Sequence, residues 1–320
     1  MAKRAIGRRT EASGDEIERT ELRRSVARKI ASHAPTAGEH ATSVAGLRVF
    51  RRTTATACQP ATYEPSLGVF VQGRKRINIG GKAYVCDESS FVLSSIDMPV
   101  TSQILEASEE VPLLSFLLRL DLALVREILS REEFRAPDYS GRDHGIVIGR
   151  TTVELLEPCS RLLDLLDTPE DIPFLSSLIQ REILYRLLRG PQGHRLRAIA
   201  TTGDQSQRTA KAIAWLRANY AKPLRVEELA EVASMGVSTL HHHFRALTAM
   251  SPVQYQKRLR LQIARQRMLM DGLDAASAAF EVGYESASQF NREYSRLFGA
   301  PPKRDVNALI AANVVATSVG

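Results

Sequence analysis

The sequence predicts an α+β chain, in which a small β-barrel with trailing helices precedes an all-α region built on two helix-turn-helix units. Three observations carry this reading. Residues 45–120 break into short runs rich in Val, Ile, Phe and Tyr, separated by Gly, Pro or Asp. From Thr151 onward the apolar residues recur at helical spacing. Residues 226–252 and 276–302 read as two copies of one segment, 50 positions apart.

At that offset Glu231 falls on Glu281, Val232 on Val282, Ser238 on Ser288, Leu247 on Leu297 and Pro252 on Pro302. Leu240, Phe244 and Leu247 keep an i, i+4, i+7 spacing, as do Phe290, Tyr294 and Leu297. Each second helix therefore buries one stripe and leaves its other face free.

Taken in order, residues 1–15 read as a disordered tail, followed by a short helix with Leu22, Val26 and Ile30 at spacing four. The runs LRVFRRT, LGVFVQG, INIGGKAYVC and SFVLSSI are the strands, with Gly80 and Gly81 marking a hairpin. Many short strands at this interval indicate a barrel or sandwich. Further on, Leu175, Leu178, Ile179, Ile183, Leu187 and Leu188 make a wide apolar stripe, begun by Pro173 and stopped by Gly190. Residues 191–207 read as a linker and residues 305–320 as a tail.

The formal charge is +7, unevenly placed: nine Lys and Arg against five Asp and Glu in residues 1–32, 19 against 22 in residues 33–204, and 15 against nine in residues 205–320. A basic C-terminal third beside a near-neutral centre suits a nucleic-acid module joined to a domain with a different partner. Cys58, Cys86 and Cys159 are too few and too scattered for a disulfide framework or a zinc site. No run approaches the roughly 18 apolar residues of a membrane span, and no signal h-region opens the chain, so a cytoplasmic location without membrane contact is expected.

In the first copy Val226, Leu229, Ala230 and Ala233 form a stripe, Met235 and Gly236 make the turn, and the second helix runs from about Val237 to Leu247. Its outer face carries Ser238, His241, His242 and Arg245, while His243 lies nearer the packed side. Such short or hydrogen-bonding side chains suit base edges and phosphates. Neighbouring histidines also invite a metal reading, but zinc wants ligands from separate elements or an i, i+4 pair. In the second copy the outer face carries Ala287, Ser288, Gln289, Arg292 and Arg296. Gln pairs bidentately with adenine and Arg with guanine. Ser251, Pro252 and Gln254 form a capping box opening a helix to about Met270, with Lys257, Arg258, Arg260, Arg265 and Arg267 on it. At about 28 Å that helix can hold two reading helices near the 34 Å of one DNA turn.

The stretch from Thr209 to Arg304 resembles the DNA-binding domain of AraC/XylS-type transcription regulators, in segments such as VEELAEVASMGVSTLHHHFRALTAMSPVQYQ and AAFEVGYESASQFNREYSRLFGAPPKRD. It departs from that family where Arg225 and Gly236 replace the usual hydroxyl caps. Upstream, Tyr63-Glu64-Pro65, Gln72-Gly73-Arg74-Lys75 and Asp97-Met98-Pro99-Val100 resemble the cupin-like N-terminal domain of one AraC-type branch. That resemblance implies a ligand-sensing or dimerising barrel over residues 33–190, joined to a DNA-binding domain over residues 208–304.

Metal-dependent cupins place histidines inside the barrel. Between Leu47 and Leu120 there is none, and His144 stands alone, so neither catalysis nor a cofactor is expected. Tyr63, Gln72, Arg74 and Arg76 stand as pocket residues or as barrel surface, and Cys58 as a sensing thiol or an unremarkable cysteine. The expected function is sequence-specific, effector-responsive transcription regulation. The expected partners are promoter DNA, a small-molecule effector of unknown identity, a second copy of the chain and, for an activator, RNA polymerase. A nonspecific architectural DNA protein and a metal-dependent cupin enzyme are the alternatives.

Overall fold

The computed structural model describes residues 2–79, 82–131, 145–201 and 205–318, with side-chain surroundings inside residues 15–311. The chain opens with α1 (Ala2–His33), a helix where a tail and a shorter helix were expected. Val26 and Ile30, one turn apart, are fully buried near its C-terminal end.

Among the described residues ten strands follow: β1 (Gly38–Ala41), β2 (Leu47–Arg52), β3 (Gln59–Tyr63), β4 (Ser66–Gln72), β5 (Arg74–Ile79), β6 (Lys82–Cys86), β7 (Ser90–Ser94), β8 (Met98–Glu106), β9 (Leu113–Arg119) and, after α2 (Leu122–Arg131), β10 (Ile146–Arg150). They form an antiparallel six-stranded sheet, β1-β2-β9-β4-β7-β10, facing a four-stranded one, β3-β8-β5-β6. Strands β5 and β6 pair up to Ile79 opposite Lys82. The glycine pair expected to turn that hairpin, and His144, lie outside the described residues.

Period-two alternation sorts the side chains of the larger sheet into two cores. Leu67, Val69 and Val71 of β4, with Phe91 and Leu93 of β7, face an outer helical layer of α1, α3 (Val153–Asp164) and α4 (Ile172–Arg189). Phe70 and Val92 face inward, toward Ile77, Met98 and Ile104 of the smaller sheet. A strand between the layers is thus apolar on both sides, which explains the continuous buried run of β7.

Pro173 starts α4 and Gly190 ends it, as the sequence indicates. Its buried stripe is narrower than expected, because Leu178 is 51% exposed; Phe174, outside that stripe, is 73% exposed. The segment expected as a linker contains α5 (Gly193–Ala200), whose Leu196, Ile199 and Ala200 are buried.

The C-terminal region is all helical: α6 (Gln205–Ala218), α7 (Val226–Val232), α8 (Val237–Thr248), α9 (Pro252–Met270), α10 (Ala275–Glu281), α11 (Ala287–Phe298) and α12 (Pro302–Ser318), the last occupying the expected tail. The inner core of the barrel continues into this region through Ile199, Ile213, Leu216, Leu240, Phe244 and Tyr255. A separate core packs α9, α10, α11 and α12 around Phe290 and Tyr294.

One expectation about the duplication is corrected. Helices α8 and α11 are related by 50 positions, but α7 and α10 are related by 49. Leu229 and Ala230 therefore match Ala278 and Ala279, and Ala233 matches Val282, all of them buried. Glu231 and Val232 are not the counterparts of Glu281 and Val282, because the second turn is one residue longer.

Candidate nucleic-acid interface

Helices α8 and α11 are both positioned by the apolar stripes seen in the sequence. In α8, Leu240 and Phe244 are fully buried, and Phe244 meets Tyr255 of α9 edge-on at 5.5 Å. In α11, Phe290 and Tyr294 are fully buried with their rings 5.4 Å apart. This packing turns Ser238, His241, His242 and Arg245 outward on α8, with His243 half-buried. On α11 it exposes Ser288, Gln289, Arg292 and Arg296, with Ala287 half-buried at the first turn.

The two units differ in how their ends are finished. Asp274 caps α10 by accepting from the backbone N–H groups of Ala276 and Ser277, and Ser286 caps α11 by accepting from Gln289. Arg225 and Gly236, at the matching positions of the first unit, make no side-chain cap. The first unit also places Ser234 and Ala249 in the left-handed region, φ 53° and 60°, where the second uses Gly283 and Gly299. Only glycine enters that region without Cβ strain.

Helix α9 joins the units, and the capping box of Ser251 and Gln254 starts it. Four of its five cations are tied to groups of the protein itself. Arg260 donates to the carbonyls of Tyr220 (2.7 Å), Gly283 (2.8 Å), Ala221 (3.2 Å) and Lys222 (2.8 Å), tying both units together. Arg265 pairs through two nitrogens with Asp305 and lies over the Phe298 ring at 4.5 Å. Arg267 pairs with Asp271 and Glu281, and Lys257 with Glu293. Among the described residues, Arg245, Arg292 and Arg296 have no such carboxylate or carbonyl partner and leave their guanidinium groups toward solvent. These internal ties depend on contacts between elements, which the sequence pattern does not show.

Within the barrel, a cavity of about 140 Å³ between the sheets is lined by Phe70, Ile104 and Phe116 with Arg52, Tyr63 and Lys75. Lys75 Nζ stands 5.6 Å from the centre of the Tyr63 ring, and burial lowers the pKa of Arg52. Tyr63 lines this cavity, whereas Cys58, Gln72 and Arg74 do not. Cys58 is exposed and near Asn78, Gln72 donates to the Pro112 carbonyl at 2.7 Å, and Arg74 pairs with Glu106 at 2.8 Å. Arg76 donates to Gln103. Strand alternation from Arg74 was the available signal that Lys75 takes the other face.

The barrel and the helical region meet at polar contacts. Thr62 donates to Gln262 Oε1 at 2.9 Å, Gln262 donates to the Ala61 carbonyl at 3.0 Å, and Tyr255 donates to the Asp97 carbonyl at 2.9 Å. A cleft of about 790 Å³ runs beside them, walled by Phe50, Tyr63, Arg217, Leu259 and Phe298. Among the described residues no helix is long and apolar enough to cross a membrane.

Comparison with known proteins agrees with both halves. Residues 43–195 match the model of the AraC-type transcriptional regulator N-terminus, and residues 229–307 match a helix-turn-helix domain. The HTH-type transcriptional activator RhaS of Pectobacterium atrosepticum is 30% identical over 139 residues, 43% of this chain and 47% of that protein. The HTH-type transcriptional regulator ArgR of Pseudomonas aeruginosa is 24% identical over 146 residues, 46% of this chain and 44% of its own length. The chain thus spans less than half the length of these relatives. Among solved structures, an apo form of a ToxT point variant from Vibrio cholerae superposes with a TM-score of 0.55 at 10% identity, covering 81% of this chain and 96% of that one. Wild-type ToxT from Vibrio cholerae with an unsaturated fatty acid bound gives 0.51 at 10% identity, covering 82% and 93%. These likenesses show the same fold. With an AraC-type N-terminal domain and a helix-turn-helix domain matched in this order along one chain, the protein belongs to the AraC-type transcriptional regulators.

Proposed function

We propose that the protein binds promoter DNA sequence-specifically, α8 and α11 entering successive major grooves, and that a small molecule in the barrel modulates this binding. One observation carries the reading: two helices on a single 19-residue connector each bury an apolar stripe and turn unpaired guanidinium groups outward. Ser238, His241, His242 and Arg245 are the proposed contacts on α8, and Ala287, Ser288, Gln289, Arg292 and Arg296 those on α11. The role is regulatory and not enzymatic, and its place is the cytoplasm. Unlike polar side chains on the two faces favour specific over architectural binding.

The cavity suits a small anion with an apolar body, since Arg52 and Lys75 are set among apolar walls. ToxT, solved with a fatty acid, supports looking among carboxylates. Exposed Phe174 and Leu178 on α4 support a homodimer, and RNA polymerase is the further partner of an activator.

Selection of bound sequences from a random duplex pool tests the reading, with Gln289→Ala and Arg292→Ala variants alongside. Two enriched blocks about one helical turn apart are expected, one of them losing its preference in the variants. Binding with a steep salt dependence and no enriched block, with or without carboxylates, would sink it.

A further inference from the structure

Glu293 is the one carboxylate on α11, and it sits directly behind the reading face. Lys257 of α9 donates to its Oε1 at 2.8 Å, the Tyr284 hydroxyl donates to its Oε2 at 2.8 Å, and Gln289 Nε2 donates to Oε1 at 3.3 Å. Only 15% of the Glu293 side chain is exposed, while Gln289, one turn earlier, is exposed to solvent. Burial alone would raise the Glu293 pKa, but the hydrogen bonds from Lys257, Tyr284 and Gln289 outweigh it and hold the group charged.

An ionised carboxylate can only accept hydrogen bonds. The amide of Gln289 must therefore turn its NH2 end toward Glu293, because the flipped amide would set its oxygen against a carboxylate oxygen. With one N–H held there, the other N–H and the carbonyl oxygen remain for a partner. That donor and acceptor pair matches N7 and N6 of adenine in the major groove, whereas a flipped or freely turning amide can also donate to guanine. The first unit has no equivalent, since His243 and Thr239 occupy the corresponding positions of α8.

We infer that Glu293 is a positioning residue for base recognition, fixing the amide of Gln289 so that the second unit prefers adenine over guanine at one position. This rests on the proposed DNA-reading role of α11. Tyr284 anchors the carboxylate through its other oxygen whether or not Lys257 is present, and Glu293 itself does not touch DNA.

The test uses the full chain and four proteins: wild type, Gln289→Ala, Glu293→Gln and Lys257→Gln. Sites are selected from a random duplex pool, and dissociation constants are then measured on duplexes differing at the affected base, with melting temperature and salt slope recorded. Wild type should prefer adenine over guanine about tenfold. Gln289→Ala should lose that preference, and Glu293→Gln, whose amide permits either orientation, should reduce it to about twofold with other positions unchanged. Lys257→Gln breaks the tie to α9 but leaves the carboxylate, so its adenine preference should persist. If Glu293→Gln keeps the preference and loses affinity uniformly with a lower melting temperature, Glu293 is only a structural tie. Loss of the preference in Lys257→Gln at unchanged Glu293 would likewise overturn the assignment. A wild-type motif that Gln289→Ala leaves intact removes Gln289 as the reader and the inference with it, whereas no wild-type motif removes the DNA reading itself.

Discussion

Arg217, in the last turn of α6, places Nη2 2.5 Å from Glu64 Oε1 and bonds Asp97 through Nη1. One guanidinium from the helical region thus closes on two carboxylates of the barrel, and Arg119 approaches Glu64 from the barrel side at 2.7 Å. The planar fork of arginine suits such a two-point contact better than a lysine ammonium does. Because α6 precedes the first helix-turn-helix unit in the chain, this contact joins the barrel to the helical region next to that unit.

Replacing Arg217 by Ala should destabilise the joined arrangement by about 2 kcal/mol, between the values for exposed and buried pairs, because Asp97 is left largely covered without its partner. Lysine should restore only part of the loss. Urea unfolding followed separately at the barrel and at Trp215 would read it. Coincident, unshifted transitions in the variant would count against a coupling role.

Acid should weaken the same contact. The hydrogen bond from Arg217 holds the Glu64 pKa below its ordinary value of 4.5, overcoming the opposite effect of burial. A depressed carboxylate contributes stability that is fully present above the unfolded pKa and is lost as pH falls through the folded one. Wild type should therefore be more stable than Glu64→Gln at neutral pH, with the gap closing as the pH drops below about 4.5. Melting temperatures of the two proteins from pH 7 to pH 3 would show it, and a gap independent of pH would refute the assignment.

The left-handed turns of the first unit, which lack glycine, should be improvable. Ala249→Gly, at φ 60°, should stabilise the protein by about 1 kcal/mol, and Ser234→Gly, at φ 53°, by a similar or smaller amount. Gly299→Ala should cost about as much in the opposite direction, since its Cβ would meet nothing within 4 Å and only the backbone strain counts. Gly283→Ala should be far worse, because there the new Cβ would strike the Ala221 carbonyl. Denaturant midpoints of the four variants check the ranking.

Arg260→Ala should cost about 3 kcal/mol, as it leaves the carbonyls of Tyr220, Ala221, Lys222 and Gly283 short of a charged donor. Arg260→Lys should recover little, because one ammonium cannot span positions that a guanidinium reaches from three nitrogens. Hydrogen exchange of the α10 and α11 amides would show whether the second unit loosens first, and unchanged protection would mean that the clamp is redundant.

Features that rest on local rules were legible in the amino-acid order. Apolar spacing of four along α8 and α11 set which side is buried, so the outward placement of Arg245 and Arg292 followed from helix geometry alone. The short apolar runs of β4 and β7, the Pro173 and Gly190 boundaries and the Ser251 capping box are equally local. Features that join residues far apart in the chain emerged only on packing. Glu64 and Arg217 are 153 positions apart, and nothing in either neighbourhood announces the pair. The same holds for Lys257 and Arg265 of α9, whose carboxylate partners Glu293 and Asp305 come from α11 and α12. The one-residue shift between the two copies was hidden too, because the turn length adjusts to packing while the chance matches of Glu281 and Val282 kept an even offset. Periodicity records which face of an element is apolar, but a charged side chain's partner is chosen only when the elements are packed together.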